Sequence, residues 1–195
     1  MLAVLIVLLS FSSNYPLESL LGSPLEEAKR SDFFTFFHLK ETGGSVALGE
    51  TVAVSFKPEA GEFRELVSVY VTLDTNNRII RIDLSLARSF VDHKTNGIFA
   101  RDIAKSLLRA AIPKENQRAI ADLANEIEFP AAVEGQTIVT VRPPPKLPPA
   151  PTAGYLTYLG KKSVFEQMVT IYKLRLENRK VNDVDSLLIS VQMAK

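Results

Sequence analysis

The stretch ELVSVYVTLDTNNRIIRIDLSLARSF, residues 65 to 90, decides the fold class. Val67, Val69, Val71 and Leu73 alternate with Ser68, Tyr70 and Thr72, and Ile80, Ile82, Leu84 and Leu86 alternate with Arg81, Asp83 and Ser85. A period of two places each apolar set on one side of a pleated strand. Between the strands, Asp74 to Asn77 reads as a turn, because Asn and Asp tolerate left-handed backbone angles and satisfy nearby amides with their own side chains. An antiparallel hairpin with one apolar and one polar face follows, its polar face turned to solvent or a ligand.

Upstream, TVAVSF (51–56) continues the alternation through Val52, Val54 and Phe56, and FFTFFHLKE (33–41) reads as a strand greasy on both sides. The connecting GGSVALGET (43–51) has the glycine spacing of a phosphate-binding loop, with four residues between Gly44 and Gly49. Glu50 stands where that loop needs a lysine, and a strand rather than a helix follows, so no helix dipole is available to an anion. Gly43 and Gly44 are read as turn residues that admit positive φ.

Downstream the period lengthens. In GIFARDIAKSLLRAAI (97–112), Ile98, Phe99, Ile103, Leu107 and Leu108 mark a helical face that Pro113 closes. A second helix over 114–129 carries Ile120, Leu123 and Ile127 and stops at Pro130, and QTIVTVR (136–142) returns to strand alternation. The fold class is α+β, an antiparallel sheet with two consecutive helices packed on it.

RPPPKLPPAP (142–151) holds six of the eleven prolines and reads as a polyproline strap. Arg142, Pro145 and Pro148 fit the R-x-x-P-x-x-P spacing read by SH3 grooves, although a stiff spacer is the simpler role. Beyond it, QMVTIYKLRLE and LLISVQM read as a C-terminal hairpin joined by NRKVNDVD, with Leu187, Ile189, Val191 and Met193 on one face. For 163–178 a helix competes, since Ser163 and Glu166 have capping-box spacing. Two strands alone are marginal in water, so this arm is expected to dock on the core or on a partner.

At the N-terminus, Leu2 to Phe11 is apolar except for Ser10, too short to span a bilayer but suited to a secretory signal or residual membrane anchor. The expected division is a signal or anchor over 1–13, a spacer over 14–31 or a short helix there at LEEAKR (25–30), a core over 32–142, a proline-rich linker over 143–154 and the arm over 155–195. Export implies an extracytoplasmic, periplasmic or secreted protein, with membrane association only through residues 2–11.

Composition narrows the function classes. With 23 Lys and Arg against 22 Asp and Glu, the net charge of +1 exerts no long-range pull on nucleic acid. No cysteine is present, which excludes thiol catalysis, disulfides and cysteine-based zinc sites. The two histidines, His38 and His93, are not in metalloprotease spacing, and the spacing of Asp83, Asp92 and His93 has no metal specificity. No cofactor is expected. A hydrolase built on His93, with Ser89 and Asp92 nearby, is the weakest reading, since no strained nucleophile turn accompanies it.

Arg101, Lys105 and Arg109 recur every four residues along the first helix, with Arg88 and Lys94 upstream. This basic stripe is either a solvated helix face or a docking face for an acidic partner or lipid headgroups. The outline is similar to that of envelope proteins whose half-barrels bind lipids or other apolar ligands, a likeness of architecture that no residue motif carries. Two functions follow: a non-enzymatic envelope or secreted protein that binds a partner protein or apolar ligand, and an assembly subunit that adds strands to a neighbour, so that oligomers are possible.

Overall fold

A computed structural model describes residues 18–59, 61–129 and 150–194. The Arg142, Pro145 and Pro148 pattern, the strand expected at 136–142, the Pro130 stop and the apolar run at 2–11 all lie outside these residues. Helices α1 (Leu25–Ala28) and α2 (Asp32–Phe36) lead into strands β1 (Leu39–Glu41), β2 (Val46–Leu48), β3 (Thr51–Pro58), β4 (Val67–Leu73) and β5 (Ile79–Ala87). Then come α3 (Arg88–Val91), α4 (Gly97–Ala111), a 3-10 helix (Lys114–Ile120), α5 (Ala121–Glu128) and α6 (Ala153–Tyr158). Strands β6 (Val164–Val169), β7 (Tyr172–Val181) and β8 (Val184–Met193) complete the order.

All strand pairs are antiparallel, in the order β1-β3-β4-β5-β8-β7-β6, with β2 also paired to β3. The β4–β5 hairpin forms where the alternation puts it. Asp74 Oδ1 accepts the amides of Asn76 and Arg78, each at 2.9 Å, and Asn77 takes a φ of 62°. One register step differs: Leu73 pairs with Ile79 and Thr72 with Arg81, so a bulge at Ile80 turns Ile79 into the core in its place. The loop at 43–51 ends in a β2–β3 hairpin with Gly49 at φ 64°, and Gly43 rather than Gly44 has the second positive φ.

The apolar face is continuous across six strands: Phe56 pairs with Val69, Val69 with Leu84, Leu84 with Ile189, Ile189 with Leu176, and Leu176 with Phe165. The opposite face runs through Ser55, Tyr70, Asp83, Ser190, Arg175 and Glu166 in the same order. Helix α4 packs against β5 and β8, and α6 against β6 and β7. The C-terminal segment expected as a two-stranded arm is a three-stranded meander, and 163–178 is strand. Strand β7 runs through the expected connection to Val181, and Asn182 and Asp183, at φ 47° and 63°, make the two-residue turn into β8. Its last strand fills the gap between β5 and β7.

Residues 32–36 are helical, which corrects the first part of the strand expected over 33–41; only 39–41 form a strand, β1. Phe33, Phe34 and Phe37 stand at i, i+1 and i+4, one face of a helix, and Phe34 meets Phe56 edge-on at 5.0 Å. Phe36 points away from that face. The 18–31 segment is not a spacer: it holds the short helix α1 within LEEAKR and joins the core through Leu20, Leu21, Leu25 and Ala28, and the amides of Leu20 and Leu21 cap the Ala110 and Ala111 carbonyls at the end of α4. On α4 the buried stripe is Ala100, Ile103, Ala104, Leu107, Leu108 and Ala111, while Ile98 and Phe99 are exposed. Small residues bring the helix close to the sheet, a role that counting only large apolar residues overlooks. Ile120, Leu123 and Ile127 are buried as their spacing requires, on the 3-10 helix and α5.

Among the described residues two buried side-chain oxygens, those of Ser31 and Tyr158, have no hydrogen-bond partner, and Tyr158 is the more consequential. Tyr158 on α6 is 3% exposed, and its hydroxyl makes no hydrogen bond among the described residues. Burial pushes that hydroxyl far above the usual tyrosine range, against the opposing charges of Arg101 and Arg88. An unsatisfied buried hydroxyl costs about 1–3 kcal/mol, so Tyr158→Phe is expected to stabilise the fold by about 1 kcal/mol in urea unfolding at neutral pH. Because the folded value lies above the unfolded one, the protonated hydroxyl's contribution is complete below about pH 10 and is lost as the pH rises further. The advantage of the variant should therefore widen above that pH; a variant less stable than wild type at pH 7 would contradict this account.

Candidate functional site

Helices α2 and α4 form the walls of a groove of about 910 Å³, lined by Phe33, Phe36 and Phe37 on one side and by Asp102, Lys105, Ser106 and Arg109 on the other. The aromatic wall exists because α2 has two faces. Phe33 and Phe34 anchor it to the core, while Phe36, 73% exposed, packs edge-on to Phe37 at 5.0 Å. His38 follows at a φ of 48°, turning the chain out of the helix toward β1 and bringing its own side chain to the groove.

The polar wall is fixed by ion pairs. Lys105 Nζ lies 3.1 Å from Glu128 Oε1 and 3.2 Å from Asp102 Oδ1, and Arg109 Nη2 donates to Glu128 Oε2 at 2.5 Å. Glu128 closes α5, so these bonds tie the two long helices together. Burial alone raises the Glu128 carboxyl, but the Lys105 hydrogen bond and the Arg109 charge outweigh it and hold the group below the usual carboxylate range. Two cations thus face two carboxylates, and the wall has no net charge.

The basic residues Arg88, Arg101, Lys105 and Arg109 are therefore not one stripe. Lys105 and Arg109 reach the groove. Arg101 is half-buried, and its charge acts on the hydroxyls of Tyr155 and Tyr158. Arg88 is a cross-link: its Nη1 donates to the Tyr158 carbonyl at 2.6 Å and to Asn178 Oδ1 at 3.4 Å, and its Nη2 pairs with Asp92. With Arg179, Lys180 and Asp185 it borders a second, smaller depression of about 500 Å³ whose charges are mixed.

The histidine reading fares poorly on geometry. His93 Nδ1 accepts the amides of Asn96 at 3.0 Å and Thr95 at 3.3 Å, which makes it a cap at the entry to α4. Asp92 is engaged by Arg88, and Asp83 on β5 accepts from Arg81 Nε at 2.7 Å. Among the described residues no group of three or more His, Asp or Glu is placed to hold a metal ion, and no helix is long and apolar enough to cross a membrane.

Comparisons of the chain with protein-family models, with curated proteins and with solved structures find no match. The groove was missed by sequence reasoning because residues 33–37 read as a strand. The signal that could have found it is the 33, 34, 37 spacing, which leaves Phe36 outside the buried set.

The Glu128 pairing has a pH signature. A folded value below the unfolded one means that the pairing stabilises the fold above the ordinary carboxylate range, and that this contribution is lost as the pH falls through the depressed folded value. Carbon-detected NMR should place the Glu128 midpoint below 4.5, and Lys105→Met should move it upward. A midpoint at or above 4.5 in the wild type would remove the ion-pair account of the wall.

Proposed function

We propose that this protein is a non-enzymatic binding protein of the cell envelope or extracellular space, taking an apolar ligand with a neutral polar end in the α2/α4 groove. The observation that carries the reading is Phe36, a large aromatic side chain left 73% exposed at the rim of a groove whose opposite wall is polar yet charge-balanced. Ligand sites are commonly apolar concavities of about 300–1,000 Å³ with a few placed polar groups, and the groove falls in that range. Covering a phenylalanine ring contributes about 1.5–3 kcal/mol. Because Lys105 and Arg109 are already neutralised by Glu128 and Asp102, an anionic end gains no net attraction. Ser106 and the outer edges of the ion pairs offer hydrogen bonds to a hydroxyl or carbonyl.

Titration of the labelled protein with n-decanol and, separately, decanoate, followed by NMR shifts of α2 and α4 amides, tests the reading. Decanol should bind at least as tightly as decanoate, and Phe36→Ala should weaken it about tenfold, the factor that 1.4 kcal/mol represents. Shifts that spread over the surface or ignore Phe36→Ala would overturn the groove as a binding site.

Export is part of the proposal and rests on the Leu2 to Phe11 run. Intact-mass analysis of the protein from its native host should find a chain beginning close to residues 13–16. Soluble cytoplasmic protein retaining Met1 would overturn export while leaving the groove reading intact.

A further inference from the structure

Strand β6 closes one side of the sheet: it pairs with β7, and among the described residues no strand lies along its other side. The phase of the ladder tells which backbone groups face outward. The Asn178 amide donates to the Ser163 carbonyl at 2.8 Å, one step before the Val164 to Glu177 pair. Hydrogen-bonded pairs alternate in an antiparallel ladder, so Phe165, Gln167 and Val169 bond inward to β7. The N–H and C=O groups of Val164, Glu166 and Met168 point to the free edge.

Edges left open in this way are usually blunted by charge, proline or a bulge. Strand β6 contains no proline, and its register with β7 is unbroken over six pairs. Its single charge, Glu166, is drawn inward by Lys173 at 3.0 Å and Arg175 at 2.7 Å. On either side of it Val164 and Met168 remain 45% and 55% exposed. Backbone groups with that spacing are satisfied by another extended strand, and the side chains say which.

We propose that β6 pairs antiparallel with β6 of a second copy of this chain, across a two-fold axis at Gln167. This register sets Glu166 opposite the second copy's Met168 and Phe165 opposite its Val169, and joins outward-facing groups to outward-facing groups. Centring the axis on Glu166 would instead oppose two carboxylates directly, which is destabilising. Charges beyond the strand agree. The exposed Lys161 and Lys162 precede β6 and form no ion pair among the described residues. In the Gln167 register they approach the second copy's Thr170–Ile171 turn, where Thr170 Oγ1 bonds Asn116 Oδ1 at 2.8 Å and brings the exposed, likewise unpaired Glu115 alongside. Two-fold symmetry makes that attraction twice over. The pairing is independent of the α2/α4 groove and gives assembly by strand addition a defined strand.

Sedimentation equilibrium of the full chain tests it, together with amide exchange at Val164, Glu166 and Met168. The wild type should be a dimer at micromolar to millimolar concentration, with protection of those three amides that grows with concentration. Met168→Glu places a second carboxylate against Glu166 and should raise the dimer dissociation constant at least tenfold, whereas Met168→Lys, which meets Glu166 with opposite charge, should leave it dimeric. Both substitutions are at an exposed side chain, and circular dichroism checks that the fold is retained. Equal loss of dimer in the two variants would overturn the register. A wild-type monomer overturns the proposal, whether the three amides exchange fast, leaving a solvated edge, or slowly, showing the edge covered within one chain.

Discussion

The β5–β8 pairing holds the molecule together. Seven consecutive residue pairs, from Arg81 with Gln192 to Ala87 with Ser186, join the N-terminal strands to the C-terminal meander. Leu84, Leu86, Leu187 and Ile189 are all fully buried along that seam, and α4 packs across it. Without β8, the strands β1 to β5 would carry an open apolar edge, and the helices would cover only part of a sheet. The groove inherits its geometry from the same seam, since α4 is held by β5 and β8 while α2 is held to β3 through Phe34 and Phe56.

Electrostatics on this protein are local. The polar sheet face is laced by short pairs, Arg81 with Asp83, Glu166 with Lys173 and Arg175, and Glu177 with Arg175. The helices are joined by Glu128 with Lys105 and Arg109. Exposed pairs of this type contribute about 0–1 kcal/mol each, so their role is better described as fixing side-chain positions than as holding the fold. A near-neutral chain that spends its charges on one another leaves shape and apolar exposure to select partners. Phe36 at the groove and Val164 and Met168 beside the β6 edge are among the places where that exposure remains.

Legibility in the sequence tracked how far each pattern depends on its neighbours alone. The β4–β5 hairpin was readable because alternation and the Asp74 turn are local, and the buried positions of Ile120, Leu123 and Ile127 followed from helical spacing. The Ile80 bulge was not, because a bulge is set by the partner strand's register. Five apolar or β-tolerant residues from Phe33 to Phe37 fit either period, and contact with Phe56, distant in sequence, decides for the helix. The basic residues show the same limit. The four-residue spacing of Arg101, Lys105 and Arg109 on α4 was plain, but Glu128, which holds Lys105 and Arg109, lies on α5, and Asn178, which Arg88 reaches from α3, lies on β7.

The seam has a temporal side. During synthesis β5 is complete long before β8 has been made, and throughout that interval its edge toward β8 has no strand beside it. Helix α4 is made within the same interval, so its apolar stripe finds only half of its floor. A nascent chain in this condition is kept loose by its own topology, and it exposes an apolar edge that a holding chaperone can recognise. The order of strands in space therefore ties completion of the fold to the last strand that the ribosome delivers.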